Sequence, residues 1–126
     1  KGDTGAAGTN GANGNANVYE LRDTIATSEW LTCGANCWYK QVTVPGITDP
    51  NKDIVMVQVE SETYFLWFQL PATGGCWHTN DNMTFNYFNN TVTLNYSSTA
   101  GAPTNRLFVK FIVIPPSAQH SDNTAD

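Results

Sequence analysis

Beyond residue 37 the large apolar residues recur at every second position, the period of an extended strand with one covered face. Trp38–Val44 is the first such segment, and Pro45-Gly46 stops it. Ile54–Glu60 is a β-branched run expected to be covered on both faces. Tyr64–Leu70 reads as an aromatic strand closed by Pro71, followed by a loop from Ala72 to Asn82. Met83–Phe88 and Thr91–Tyr96 form the clearest hairpin, because Asn89-Asn90 between them tolerates positive φ. Arg106–Ile114 is the last and longest strand, ended by Pro115-Pro116, and the polar residues 117–126 are expected to be disordered. Six strands separated by turn signals predict a mainly β head over 32–116, a small β-sandwich or jelly-roll-like barrel. Several of these strands carry apolar residues on both faces, a surface that an oligomer would cover.

Upstream the spacing turns helical. Val18, Leu21 and Ile25 fall at the a, d and a' positions of a narrow apolar seam. Asn17 is a good N-cap, and Glu20 stands three residues later at the capping-box position. The pattern predicts a short helix in a neck over 17–31. A helix this short is marginal in water, so it should depend on partners, either a trimer seam of Val18, Leu21 and Ile25 or its own domain.

Before the neck, glycine stands at 2, 5, 8, 11 and 14. Strict Gly-x-y periodicity is the signature of a collagen triple helix, since only glycine fits the crowded axis. The alternative is a flexible Gly/Asn/Thr linker. Read as collagen, residues 1–16 make the protein a homotrimer whose remaining residues form a head on a stalk. The segment contains no proline, which would pre-set the polyproline dihedral. It should therefore be frayed when isolated, with the rest of the chain supplying trimer contacts.

A length of 126 residues allows one domain with a core. The net charge of −5 argues against a nucleic-acid partner. No run of about 18 apolar residues is present to span a membrane, so direct membrane insertion is not expected. Sparse charge with abundant Asn and Thr suits an extracellular or virion surface. Lys1 is not a natural start, so the sequence reads as a fragment whose export signal or anchor lies upstream. Cys33, Cys37 and Cys76 are odd in number. Cys33 could close a tight loop with Cys37, or Cys37 could pair with Cys76. His78 near Cys76 is poor zinc-ligand spacing, so no metal and no cofactor are expected.

Catalysis finds little support. No nucleophile elbow, phosphate-binding loop or HExxH is present, and a His78/Asp81 acid–base pair has no clear nucleophile, so the chain is not read as an enzyme. Asp49-Pro50-Asn51-Lys52-Asp53 alternates oxygen ligands but lacks the glycine and glutamate of a calcium loop, and reads as a turn. Ligand binding has two possible sources. Arg22, Lys40, Lys52, Arg106 and Lys110 could form charge-assisted hydrogen bonds to sulfates, and Lys40 and Lys110 should face solvent. Trp77, Trp38 or Tyr39 could stack on sugar rings; Trp77, in a Gly-rich loop, is the better candidate, whereas Trp38 and Trp67 should lie in the core.

A Gly-x-y stalk feeding a short neck and an all-β head resembles two groups. One is the bacterial collagen-like surface adhesins of the Legionella type. The other is phage tail-fibre and baseplate receptor-binding tips, whose strand–turn–strand pattern resembles Trp38–Thr48 with Asp53–Val57, and whose closing strand resembles Phe108–Val113. Both resemblances imply trimeric attachment to a cell or virion-target surface through glycans. The adhesin resemblance further implies binding of sulfated glycosaminoglycans such as heparin, with roles in host attachment, virulence and biofilm formation. The leading expectation is the adhesin head, binding anionic polysaccharide through a basic surface created by trimerisation. A phage tip for neutral cell-wall or capsular sugar is the runner-up, and a trimerisation domain without a ligand shares every feature but the ligand.

Overall fold

The computed structural model describes residues 17–62, 65–74 and 81–119. The Gly-x-y segment, Tyr64, the Cys76-Trp77-His78 group and the tail from residue 120 lie outside these. The described residues contain nine strands: β1 Tyr19–Ile25, β2 Leu31–Thr32, β3 Cys37–Thr43, β4 Ile54–Ser61, β5 Trp67–Gln69, β6 Ala72–Thr73, β7 Asn82–Phe88, β8 Thr91–Ser97 and β9 Leu107–Ile114. They form two antiparallel sheets, one in the order β1-β9-β4-β5 and one in the order β2-β3-β8-β7-β6. The chain changes sheet four times, at β1–β2, β3–β4, β5–β6 and β8–β9.

Alternation builds the core. On β9, Leu107, Val109, Phe111 and Val113 are buried while the residues between them are half-buried. Val55, Val57 and Val59 of β4 lie beside them, and Val42, Met83, Val92, Leu94 and Tyr96 close the same core from the second sheet. The hairpin at Asn89-Asn90 forms as expected, with Asn90 at φ 62°. Val44 N–H donates to the Asn90 carbonyl and Asn90 N–H to the Ile47 carbonyl, which pins the hairpin tip to the β3–β4 connection.

The neck helix over 17–31 is corrected. Residues 19–25 form an edge strand whose Tyr19, Leu21 and Ile25 stand opposite Val113, Phe111 and Leu107. Ile25 is fully buried and Leu21 packs on the core, so neither is available to a trimer seam. An isolated short helix is marginal, whereas a strand here completes the ladder on the otherwise open side of β9. Between β1 and β2 a short 3-10 turn at Thr27–Glu29 replaces the expected continuation of the helix.

Smaller differences have similarly local causes. β4 is buried on one face only, and its other face is half-buried, with Ile54 exposed. The aromatic strand shrinks to Trp67–Gln69, and the expected loop contains the short β6. Ser117–Gln119 are held in place, with Gln119 Nε2 donating to the carbonyls of Lys52 and Ile114 at 2.7 and 3.0 Å. Cys33 is disulfide-bonded to Cys37, which excludes the Cys37–Cys76 pairing. The bond closes the β2–β3 hairpin, where Gly34 and Asn36 take positive φ. In the 48–53 turn, Asp53 Oδ2 accepts from the backbone N–H groups of Thr48 and Asp49 at 3.1 and 2.9 Å, so this carboxylate serves the turn.

Candidate ligand-binding site

The register of the four-stranded sheet decides which residues share its outer face. Residues directly opposite on neighbouring strands point the same way. Arg22, Lys110, Gln58 and Gln69 form one row across β1, β9, β4 and β5; Thr24, Phe108, Glu60 and Trp67 form the next. The second row floors a cleft of about 520 Å³ lined by Arg22, Asp23, Thr24, Glu60, Trp67 and Phe108, with Val109 behind. The cleft lies at the end of the sheet where β1 finishes, opposite the end where Tyr19 begins it.

The core placement expected for Trp67 is corrected: its side of the sheet faces outward, and it is 41% exposed. It sits on β5, an edge strand of three residues, at a position whose parity points outward with Gln69. The Lys110 ammonium lies 4.1 Å from its ring centroid. Arg106, just before β9, places its guanidinium 5.5 Å from the Phe108 ring and is ion-paired with Glu62. The short hydrogen bond from Arg106 holds the Glu62 carboxyl below its usual range, and Glu62 in turn raises Arg106. Arg22 Nε donates to Glu20 Oε2 at 2.6 Å. Beside the cleft the β4–β5 turn exposes Phe65 and Leu66, at 72% and 59%. Phe65 adopts φ 57°, a left-handed conformation that is costly for a bulky residue and clusters at functional sites.

Three of the five expected cations, Arg22, Arg106 and Lys110, therefore meet on one face. The other two do not. Lys40 stands opposite the buried Leu94, on the inward parity of β3, and runs its stem along the core edge to reach Glu29 at 3.2 Å. This corrects the expectation that it projects freely into solvent. Lys52 belongs to the turn before β4, at the opposite end of the sheet, roughly 20 Å away at about 3.3 Å rise per residue. Trp38 packs against the core, as expected. Trp77 lies outside the described residues. So does His78, and its suggested partner Asp81 is buried and accepts from the Tyr96 hydroxyl at 3.1 Å.

Sequence reading misses Trp67, Phe108, Phe65 and the Glu60 carboxylate as site residues. A signal is present in Trp67-Phe68-Gln69, where tryptophan shares parity with a glutamine. Chemically the cleft offers aromatic surfaces, a guanidinium, a hydroxyl and the Glu60 carboxylate: stacking area flanked by donors and acceptors. Among the described residues no group of three His, Cys, Asp or Glu side chains is placed to hold a metal ion, and no helix is long and apolar enough to cross a membrane. Comparison with protein-family models, curated proteins and solved structures found no match.

Proposed function

We infer that the chain is the head of an extracellular, collagen-like homotrimeric attachment protein that binds cell-surface carbohydrate in the cleft between Arg22 and Trp67. The observation that carries this reading is the cleft's composition. A sugar ring has an apolar face suited to Trp67 and Phe108, and equatorial hydroxyls suited to Arg22, Thr24 and Glu60. The Gly-x-y repeat supports the trimer and the stalked arrangement. An extracellular setting, on a bacterial surface or a virion, agrees with the Cys33–Cys37 disulfide.

The nature of the sugar is argued from the charges. Arg22 and Arg106 are each engaged by a glutamate, and the Glu60 carboxylate lines the cleft itself. Such a surface suits a neutral or sparingly charged saccharide better than a densely sulfated chain. Attachment through sulfated glycosaminoglycan is the competing reading, favoured by the grouping of Arg22, Lys110 and Arg106. A tryptophan-fluorescence titration of the full chain with maltotriose, chitotriose and heparin hexasaccharide, at low and high salt, tests both. The proposal expects saturable binding of a neutral trisaccharide that survives high salt and weakens at least tenfold in Trp67→Ala. Binding of heparin alone, falling steeply with salt, would replace it with the glycosaminoglycan reading. No binding of any probe would leave a trimerisation domain.

A further inference from the structure

The outer face of the four-stranded sheet has two unlike ends. The end beyond the Arg22–Lys110 row carries the cleft. The other end, beside the start of β1, is apolar: Ile54 stands opposite Ile114, and Met56 opposite Ile112. Ile54 is 46% exposed, and the other three are half-buried. Val18, just before β1, is also exposed. Among the described residues the only charge in these two rows is Glu20, on the edge strand. The outer face of the five-stranded sheet is different in kind. Gln41, Thr93 and Asn86 form a polar row there, flanked by a row of Leu31, Tyr39, Asn95 and Thr84 and by a row of Thr43, Thr91 and Phe88. Its exposed apolar residues, Leu31 and Phe88, therefore stand singly in separate rows. One sheet thus presents mainly polar groups outward with isolated apolar residues among them, and the other presents a contiguous apolar patch.

The position of this hydrocarbon says what covers it. Gly14, the last glycine of the Gly-x-y register, is five residues before Tyr19. A fully extended chain gains at most about 3.6 Å per residue, so roughly 18 Å separates the two at most. Three chains wound together at Gly14 must therefore deliver three heads side by side at this end of β1. We propose that Ile54, Met56, Ile112, Ile114 and Val18 form the subunit contact, facing the threefold axis and packing against their equivalents in the second and third copies of this chain. This rests on the trimer half of the proposed function and replaces the helical seam with a sheet face. It also leaves the cleft at the far end of the same face, away from the stalk.

The test is the mass of the full chain in solution, by light scattering on a sizing column, for the wild type, Ile54→Lys, Ile112→Lys and Thr93→Lys. Ile54 is exposed in the single chain, so its replacement leaves the core intact, and far-ultraviolet circular dichroism checks that each variant keeps its strands. The proposal expects a trimeric wild type, a fall to one third of that mass in Ile54→Lys and Ile112→Lys, and an unchanged trimer in Thr93→Lys. Trimers in both isoleucine variants would overturn the assignment of this face while leaving the trimer reading intact. A monomeric wild type would overturn the trimer reading, and this proposal with it. Neither result bears on sugar binding by the cleft, which the fluorescence titration reads separately.

Discussion

Arg22 and Lys110 stand directly opposite each other across β1 and β9, two cations in register on one sheet face. Like charges so placed repel. Each is answered by a different device: Arg22 by the Glu20 carboxylate, Lys110 by the π face of Trp67. The repulsion and the cation–π attraction are each worth up to about 1 kcal/mol and oppose one another. Lys110→Leu should therefore shift the urea midpoint by less than the equivalent of about 1 kcal/mol. Binding of the neutral trisaccharide should change at least fivefold in the same variant, because the ammonium borders the cleft through Trp67. A large stability loss with unchanged binding would show that Lys110 serves the fold instead.

The ring of Tyr19 lies against Gly46 so closely that a Cβ added there would collide with Cγ and Cδ1 and stand 2.9 Å from Cε1. Gly46→Ala must push the ring off the core it packs on, and overpacking of this kind costs about 1–3 kcal/mol. On a Tyr19→Ala background the same substitution should cost far less. The coupling, read from urea unfolding of the two single variants and the double, locates the strain at this contact.

Glu29 accepts from the Ala26 backbone N–H at 2.9 Å and reaches the Lys40 ammonium at 3.2 Å. The backbone hydrogen bond first, and Lys40 second, hold its carboxyl below the usual carboxylate range. The folded chain thus gives up this proton more readily than the unfolded chain. The resulting stabilisation is present above the ordinary carboxylate pKa and is lost as pH falls through the lowered folded value. Solvent exposure keeps it small. Urea midpoints measured from pH 7 to pH 3 should fall less steeply in Glu29→Gln than in the wild type; equal slopes would refute the assignment.

The Cys33–Cys37 bond fixes the chemistry of the β2–β3 hairpin. Alkylation of the unfolded, unreduced chain and then peptide mapping should leave both cysteines unmodified. Recovery of Cys37 linked to Cys76 would contradict this hairpin.

Strands with clean alternation are legible in the sequence. β9 and the β7–β8 hairpin come directly from period-two apolar runs and Asn89-Asn90. β1 is not legible, because Asp23 occupies an inward-parity slot at the open edge and interrupts the alternation of Tyr19, Leu21 and Ile25. With that slot polar, the i, i+3, i+7 spacing of Val18, Leu21 and Ile25 imitates a helix. The cleft is legible only in fragments. Arg22, Lys110 and Arg106 stand out as cations, but their meeting depends on β1 and β9 pairing across nearly the whole chain. Trp67 is hidden by its neighbours Phe65, Leu66 and Phe68, which make the run look like core. The outward turn of Trp67 is a property of its register with Glu60, which no local window contains.

β9 lies between β1 and β4, and β1 has no other neighbour in its sheet. On the ribosome, the strand beside the Gly-x-y repeat therefore waits for Leu107–Ile114 to be synthesised. Hairpins such as β7–β8 can form earlier, but the head has no native place for β1 until Leu107–Ile114 has emerged. A message with a premature stop between β8 and β9 yields a chain missing the middle of a sheet and not its edge. The architecture proofreads its own length: only a chain translated through β9 can fold its head.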